Sequence, residues 1–334
     1  MRRKARSKGT DPKGGPSPHR FSHEAMTTLF EVIVPEEKAD IGRGLAQELF
    51  LEVDHLEGLL SRFDPGSDIA QINRLQPGES ILISHATLEC LLLGFWLHEE
   101  TGGAFDMSVG HLMDRWRHEE NEARLDDVLY REPAFQDIEE ALRHTGFQRL
   151  LVDPEEHRVA LSKKPGPRLE IDLGGLGKGY ALDRLADLLE GWELQDVLLH
   201  AGTSTALALG NASLETPWTV GIGGPWGEKS GIDRLCLRDR AASGSGTEVK
   251  GEHVLDPRTG YPSGTHLAAW STAPSAGVAD GLSTAFMVMN LAQVKAFCEK
   301  RPEIGALLVN GQGEVVDLLA SADKEAILKD TESD

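Results

Sequence analysis

The chain has 334 residues with 34 Lys and Arg against 54 Asp and Glu, a formal net charge of −20, which argues against wrapping a nucleic-acid backbone. Its 40% hydrophobic and 26% charged residues are the mix of an ordinary soluble globular protein, with length enough for a sizeable core. No stretch approaches the roughly 18 apolar residues of a membrane span, and Cys90, Cys236 and Cys298 form no C-x-x-C pair, so neither a zinc knuckle nor a disulfide framework is indicated.

Residues 1–21, opening MRRKARSKGTDPKGGPSPHR, are basic and rich in Gly, Pro and Ser. They lack the apolar core of a secretory signal. They read as a disordered tail on a cytoplasmic protein, with folded sequence from residue 22 to 322 and a charged tail over 323–334. Leu29 to Val34 reads as a strand closed by Pro35. Leu45, Leu49, Val53, Leu56 and Leu60 then recur at helical spacing from Ile41 onward, until Pro65-Gly66 turns the chain. Phe63 is either a core aromatic or the cover of a planar ligand. A second helix spans Ala86 to Trp96, followed by Gly102-Gly103 and Asp106, which make either a ligand loop or a helix C-cap and turn. Residues 117–132 are polar and irregular. A short helix from Phe135 to Leu142 stops at Gly146, and 150–152 with 159–161 form a hairpin.

Residues 171–183, IDLGGLGKGYALD, read as a strand, a glycine turn around Lys178 and a helix. A P-loop is excluded, because it needs glycine at Asp172 and Ser or Thr at Gly179. A Rossmann fingerprint is absent from this segment. The glycines either bring bare backbone and a helix N-terminus to an anion or simply turn the chain. Beyond them lie short strands at 197–199, 206–209, 218–222, 235–237, 268–272, 305–309 and 315–319, with helices at 279–290 and 292–300. The class is α+β: one large domain of mixed or antiparallel sheets covered by helices, without regular β-α alternation.

Two further segments carry chemistry. Ala241 to Thr247 reads as a loop of small residues, leading to a short strand that starts at His253 and ends in an Asp-Pro turn. His253 is a general base, a phosphate contact or a structural histidine. Asp280 and Thr284 stand four apart on one helical face, which suits either a hard dication or an Asp cap with Thr packed behind it.

Five segments in order, SRFDPGSDIAQIN (61–73), TGGAFDMSVGHLMDRW (101–116), IDLGGLGKGYALD (171–183), HVLDPRTGYP (253–262) and ADGLSTA (279–285), closely resemble the ApbE family of FAD:protein FMN transferases. The resemblance runs from about Met26 to Val309. It implies magnesium, FAD as substrate, and transfer of FMN as a phosphoester onto a threonine of an acceptor flavoprotein, with AMP released. Hydrolysis of FAD to FMN and AMP, or flavin binding without turnover, are the alternatives within the same site.

By motif, Met26 matches the methionine opening the flavin-contacting first strand, and Phe63 the aromatic against the isoalloxazine. Ala104, Phe105, Asp106, Asp172, Lys178 and Val254 match FAD contacts. The metal positions are the Gly175 carbonyl, Asp280 and Thr284; the catalytic positions are His253 and Asp280. The chain departs from the family pattern at 200–204, where His-Ala-Gly-Thr-Ser replaces N-x-G-G-[DN]. It departs again at Ala242, which stands for threonine before Ser243-Gly244, and at Gly177, which stands for a common alanine.

Overall fold

The computed structural model describes residues 18–118, 129–130, 132–164, 166–192, 194–213, 216–222, 234–247 and 254–320. From β1 (His19–Ala25) and β2 (Thr28–Val34) the chain runs through α1 (Ala39–Leu60) and α2 (Asp68–Ile72) to β3 (Ser80–Leu82), α3 (His85–Glu100) and α4 (Gly110–Trp116). A minimal ladder, β4 (Arg117–His118) with β5 (Leu129–Tyr130), precedes α5 (Phe135–Arg143) and the hairpin β6 (Leu150–Asp153) and β7 (Arg158–Leu161). Then come α6 (Gly177–Leu189), β8 (Val197–Ala201), β9 (Thr205–Leu209), β10 (Trp218–Gly221), β11 (Arg234–Leu237), β12 (Arg240–Gly246) and β13 (His266–Ala273). The last described elements are α7 (Ala276–Val288), α8 (Leu291–Lys300), β14 (Gly305–Asn310) and β15 (Val315–Leu318).

Eight of these strands form one antiparallel sheet in the order β1-β2-β8-β9-β12-β13-β14-β15. Side chains alternate across it with the two-residue period of a pleated strand. Phe30, Val32, Val34, Val197, Leu199, Leu207, Ala241, Ala269 and Leu308 face the main core together with α1, α6 and α7. Ile33, Leu198, Ala206, Ala208, Ala242 and Leu307 face the opposite way, onto Trp218, Leu235 and Leu237 of the β10–β11 pair. The α+β class, with antiparallel sheets under helices, is what the structure shows.

The helical stripe of α1 is buried at Leu45, Leu49, Val53, Leu56 and Leu60, whereas Ile41 in its first turn is exposed. Three local expectations are corrected. Residues 241–247 read as a loop because Gly, Ser and Ala are turn residues, yet 240–246 are β12, paired on both sides at the centre of the sheet. Small side chains are needed there because α7 lies directly on this strand, and Gly244 leaves room for the Trp270 ring.

Second, 171–173 form no strand. Their backbone bonds to a side chain and to a distant turn instead: Asn73 Nδ2 donates to Ile171 O (3.0 Å), Ile171 N to Asn73 Oδ1 (2.7 Å) and Asp172 N to Met107 O (2.7 Å). Third, β1 begins at His19, inside the segment whose composition reads as tail; the rest of both terminal tails lies outside the described residues.

Helices α6 and α7 cross at closer range than side chains normally permit. A Cβ at Gly179 would overlap the carbonyl oxygen of Ala276, and one at Gly277 would stand 3.3 Å from Tyr180 N. Gly179→Ala is therefore expected to force the helices apart and destabilise the fold by about 3 kcal/mol or more, the upper end for overpacking. Gly58, exposed in α1 with nothing within 4 Å of its Cβ position, gives the opposite expectation: Gly58→Ala should stabilise by about 0.5–1 kcal/mol. Urea unfolding of the two variants checks both signs.

Candidate active site

The α6–α7 crossing is held by an exchange of carboxylates. Asp183 of α6 accepts from Ala276 N (2.6 Å), Gly277 N (2.8 Å) and Ser275 Oγ (2.7 Å), satisfying donors at the start of α7. Burial raises the pKa of Asp183, while those hydrogen bonds act to lower it. In return Asp280 of α7 accepts from Gly179 N of α6 at 3.0 Å. The N-cap of α6, Leu176, has no side-chain acceptor of its own, so Asp280 supplies one from the neighbouring helix. Asp280 does not cap α7: Ser275 does, by accepting from Val278 N, and Asp280 sits in the second turn.

Asp280 is 4% exposed. A buried unpartnered carboxylate would cost several kcal/mol, and here both oxygens have donors. Oδ2 takes Gly179 N and lies 3.4 Å from the Lys178 ammonium; Oδ1 takes Thr205 Oγ1 and Ser243 Oγ, each at 3.2 Å. Those hydroxyls reach it because Thr205 of β9 and Ser243 of β12 are register partners on the sheet face under α7, 2.9 Å apart. Ser243 was visible in sequence as part of a small-residue run and of the family's Thr-Ser-Gly pattern, without a role, and Thr205 carried no signal beyond alternation.

Gly175 precedes α6 in a turn that Asp172 fixes by accepting from Gly174 N at 2.8 Å. A Cβ on Gly175 would stand 3.2 Å from Thr284 Oγ1 and 3.5 Å from the Phe105 ring. Thr284 Oγ1 in turn lies 3.5 Å from Asp280 O, one helical turn back. Gly175, Asp280 and Thr284 are thus neighbours at the crossing, with Lys178 beside them donating to Gly174 O at 2.9 Å. Among the described residues no group of three or more His, Cys, Asp or Glu is gathered as metal ligands. The oxygens here are carbonyl, carboxylate and hydroxyl, a donor set that fits a hard dication.

The other expected residues fall in distinct places. Phe63 is 71% exposed, so it is not a core aromatic. Met26 does not open a strand: with Thr27 it forms the two-residue turn between β1 and β2, both at positive φ (47° and 58°). The physical reason is the Ala25–Thr28 pairing, which leaves only a tight turn for the residues between. Ala104 and Phe105 are buried. Val254 is buried in the main core. His253 lies outside the described residues.

Gly102 (φ 61°) and Gly103 (φ 77°) end α3 as a C-terminal turn, Gly103 N donating to His98 O at 2.9 Å. The buried Asp106 accepts from Ser108 N at 2.7 Å and lies 3.3 Å from His98 Nδ1. With His98, Gly103, Thr145, Pro257 and Arg258 it lines a cleft of about 300 Å³.

A motif order this complete is matched by comparison with known proteins. The model of the ApbE family matches residues 26–308. The chain belongs to the ApbE family. A curated relative from Escherichia coli K12, named FAD:protein FMN transferase, is 26% identical over 303 residues, covering 87% of this chain and 84% of the relative. A Klebsiella pneumoniae protein of the same name is 29% identical over 279 residues, covering 80% and 77%. The crystal structure of an ApbE protein from Thermotoga maritima superposes with a TM-score of 0.78 at 27% identity, covering 92% of this chain and 99% of that one. The apo flavinyl transferase ApbE of Pseudomonas stutzeri gives a TM-score of 0.76 at 25% identity, covering 93% and 98%. No helix among the described residues is long and apolar enough to cross a membrane.

The departures from the ApbE pattern sit in informative positions. Ala242 packs in the small cluster on the far face of the sheet, whereas Ser243 faces Asp280. Gly202 is retained at φ 64°, and a Cβ there would overlap Thr28 Oγ1.

His98 gives a testable pH dependence. Its pKa is raised, first by the Asp106 hydrogen bond, against the opposing effect of burial. A raised folded-state value means that protonated His98 stabilises the fold fully below its ordinary value of about 6.5, and that this contribution is lost as pH rises through the raised value. The stability gap between wild type and His98→Gln is expected to be widest near pH 6, on the order of the ordinary value, and to narrow above it. Thermal melts across pH 6–9, roughly bracketing that value, measure the gap; one that widened with pH would contradict the assignment.

Proposed function

We propose that the chain is a magnesium-dependent FAD:protein FMN transferase, attaching FMN through a phosphoester to a threonine of an acceptor flavoprotein and releasing AMP. The observation that carries this reading is the meeting of Gly175, Asp280, Thr284 and Lys178 at one helix crossing, in a chain of the ApbE family. The Gly175 carbonyl, the Asp280 carboxylate and the Thr284 hydroxyl would hold magnesium. When bound, the ion supplies charge neutralisation at a diphosphate.

The chain's own residues account for the remaining tasks. Lys178 presents an ammonium beside those oxygens and suits a phosphate oxygen of FAD. The exposed Phe63 ring offers a face for the isoalloxazine. Ala104, Phe105, Asp106, Asp172, Met26 and Val254 complete the set taken for FAD, of which Asp106 borders the cleft.

In the transfer itself the acceptor threonine's oxygen forms a bond to the phosphorus on the flavin side. The anhydride P–O bond breaks, and AMP leaves with that electron pair. The hydroxyl proton must go to a base. Both oxygens of Asp280 already accept hydrogen bonds from Gly179, Thr205 and Ser243. This favours Asp280 as the residue that anchors the site and His253 as the proton acceptor. The net charge of −20 supports small-molecule and protein partners over nucleic acid.

Incubation with FAD, magnesium and a threonine-bearing acceptor, followed by mass spectrometry of the acceptor, tests the reading. The expected product is acceptor carrying covalent FMN, with AMP in solution. Thr284→Ala removes one hydroxyl from a half-buried position on α7 and should lower the rate by about a hundredfold, the scale for losing one electrostatic element. A chelator should abolish transfer. Free FMN and AMP with an unmodified acceptor would identify hydrolysis instead, and intact FAD would exclude both reactions.

A further inference from the structure

Arg62 belongs to none of the residue sets assigned above, yet carboxylates from two other motif segments, with Glu170 beside one of them, close around it. Its side chain is 5% exposed. The guanidinium hydrogen-bonds Asp114 through Nη2, reaches Glu170 Oε1 at 3.3 Å through Nη1, and sets Nε 3.1 Å from Asp172 Oδ2, an ion-pair contact without hydrogen-bond alignment. Room is made for it at the start of α4. A Cβ on Gly110 would stand 3.0 Å from Arg62 Nη1 and would overlap the Glu170 side chain. Its guanidinium carbon lies over the Phe63 ring, 4.7 Å from the ring centroid.

Phe63 is the most exposed large aromatic of the described residues, and no apolar cluster packs against it. An exposed ring of this kind samples several rotamers. Arg62, immobilised by Asp114, Glu170 and Asp172, gives one face of the ring a fixed support and leaves the other open. Only a planar guanidinium can stack on the ring and bind carboxylates in its plane at once; an ammonium cannot.

Asp172 extends the arrangement. Its Oδ2 meets Arg62 and its Oδ1 accepts from Gly174 N, at the turn whose carbonyl holds Lys178. The charges also decide which part of a ligand belongs here. One cation faces Asp114, Glu170 and Asp172, an acidic surplus that repels phosphate. Lys178 marks the phosphate end, and the Phe63 end suits an uncharged planar ring.

We propose that Arg62 is a positioning residue: it fixes Phe63 as a one-sided stacking platform for the isoalloxazine ring and couples that platform, through Asp172, to the Gly174–Lys178 turn. The proposal rests on the flavin reading above.

FAD binding to wild type, Arg62→Lys, Phe63→Ala and the double variant tests it, read by quenching of flavin fluorescence and by the shift of the visible absorption band. Arg62→Lys keeps the charge but loses the stack. It should weaken FAD binding about tenfold, reduce the quenching, and raise KM for FAD more than it lowers kcat. Because Arg62 acts through the ring, the double variant should bind only slightly less tightly than Phe63→Ala.

Asp114→Asn provides a second perturbation that leaves the buried guanidinium paired with Glu170 and Asp172. It should lower quenching in the same direction by a smaller step, with an unchanged melting profile. Wild-type quenching in Arg62→Lys, or effects of Arg62→Lys and Phe63→Ala that multiply in full, would overturn the proposal while leaving the flavin reading intact. An FAD spectrum unaltered by the wild-type protein would sink the flavin reading and the proposal together.

Discussion

Two helices whose backbones nearly touch set the position of everything else at the site. Gly179 and Ala276 leave no space for a side chain between α6 and α7. At such short range the first-turn N–H groups of each helix face the other helix and are shielded from water. Unpaired, buried donors cost roughly 1–3 kcal/mol each. Asp183 and Asp280 remove that penalty reciprocally, each accepting from the helix it does not belong to. The geometry of the oxygens gathered at the crossing is therefore inherited from a packing solution: once the crossing is fixed, Gly175, Thr284 and Lys178 have little freedom.

A buried carboxylate at that crossing has to be stabilised by more than one backbone donor. The sheet supplies the rest. Thr205 and Ser243 put hydroxyls on the face that is otherwise Leu207, Ala241 and Ala269, and both reach Asp280 Oδ1. Ser271 on the next strand donates to Ala279 O at 2.9 Å, tying α7 to the same row. A polar row through an apolar face costs stability unless each member is satisfied. Its consequence here is an anionic oxygen pair held rigidly at the edge of the core, where it gains least by moving.

Much of the fold was legible because periodicity is a local signal. The stripe of α1, the β6–β7 hairpin and the strands at 197–199, 206–209 and 305–309 follow from spacing alone. What was not legible depended on context. β12 looks like a loop because Ala, Ser and Gly are turn residues, and only contacts made across the sheet, α7 on one face and the Trp270 ring at Gly244, explain their size. Residues 171–173 look like a strand, but Asn73 and Met107 take their hydrogen bonds. Of the site, Gly175, Lys178, Asp280 and Thr284 were readable through the family motifs, and the structure brings them together. Asp183 stood unweighed at the end of the most conspicuous motif, and Arg62 stood next to Phe63. Each contacts groups distant in sequence, Asp183 the start of α7 and Arg62 the carboxylates of Asp114, Glu170 and Asp172, so no spacing rule could have revealed it.

The altered turn at 200–204 shows which part of a motif carries a physical requirement. Gly202 sits at φ 64° and faces Thr28 with no room for a Cβ, and its N–H donates to Leu29 O at 2.8 Å. The missing space for a Cβ requires glycine and the positive φ favours it, and the Gly202–Leu29 hydrogen bond joins β8 to the first hairpin beside the Met26–Thr27 turn. Thr203 and Ser204 stand where the family pattern has glycine and an acid or amide. Ser204 still contributes through its backbone, accepting from Gly244 N at 2.8 Å and so seating β12 beside the turn. That contact is independent of side-chain identity. It keeps Ser243, one residue earlier, in register with Thr205 and aimed at Asp280. A glycine at 202 and other residue types after it are thus compatible here: the turn's task is to align two strands, and its backbone performs it.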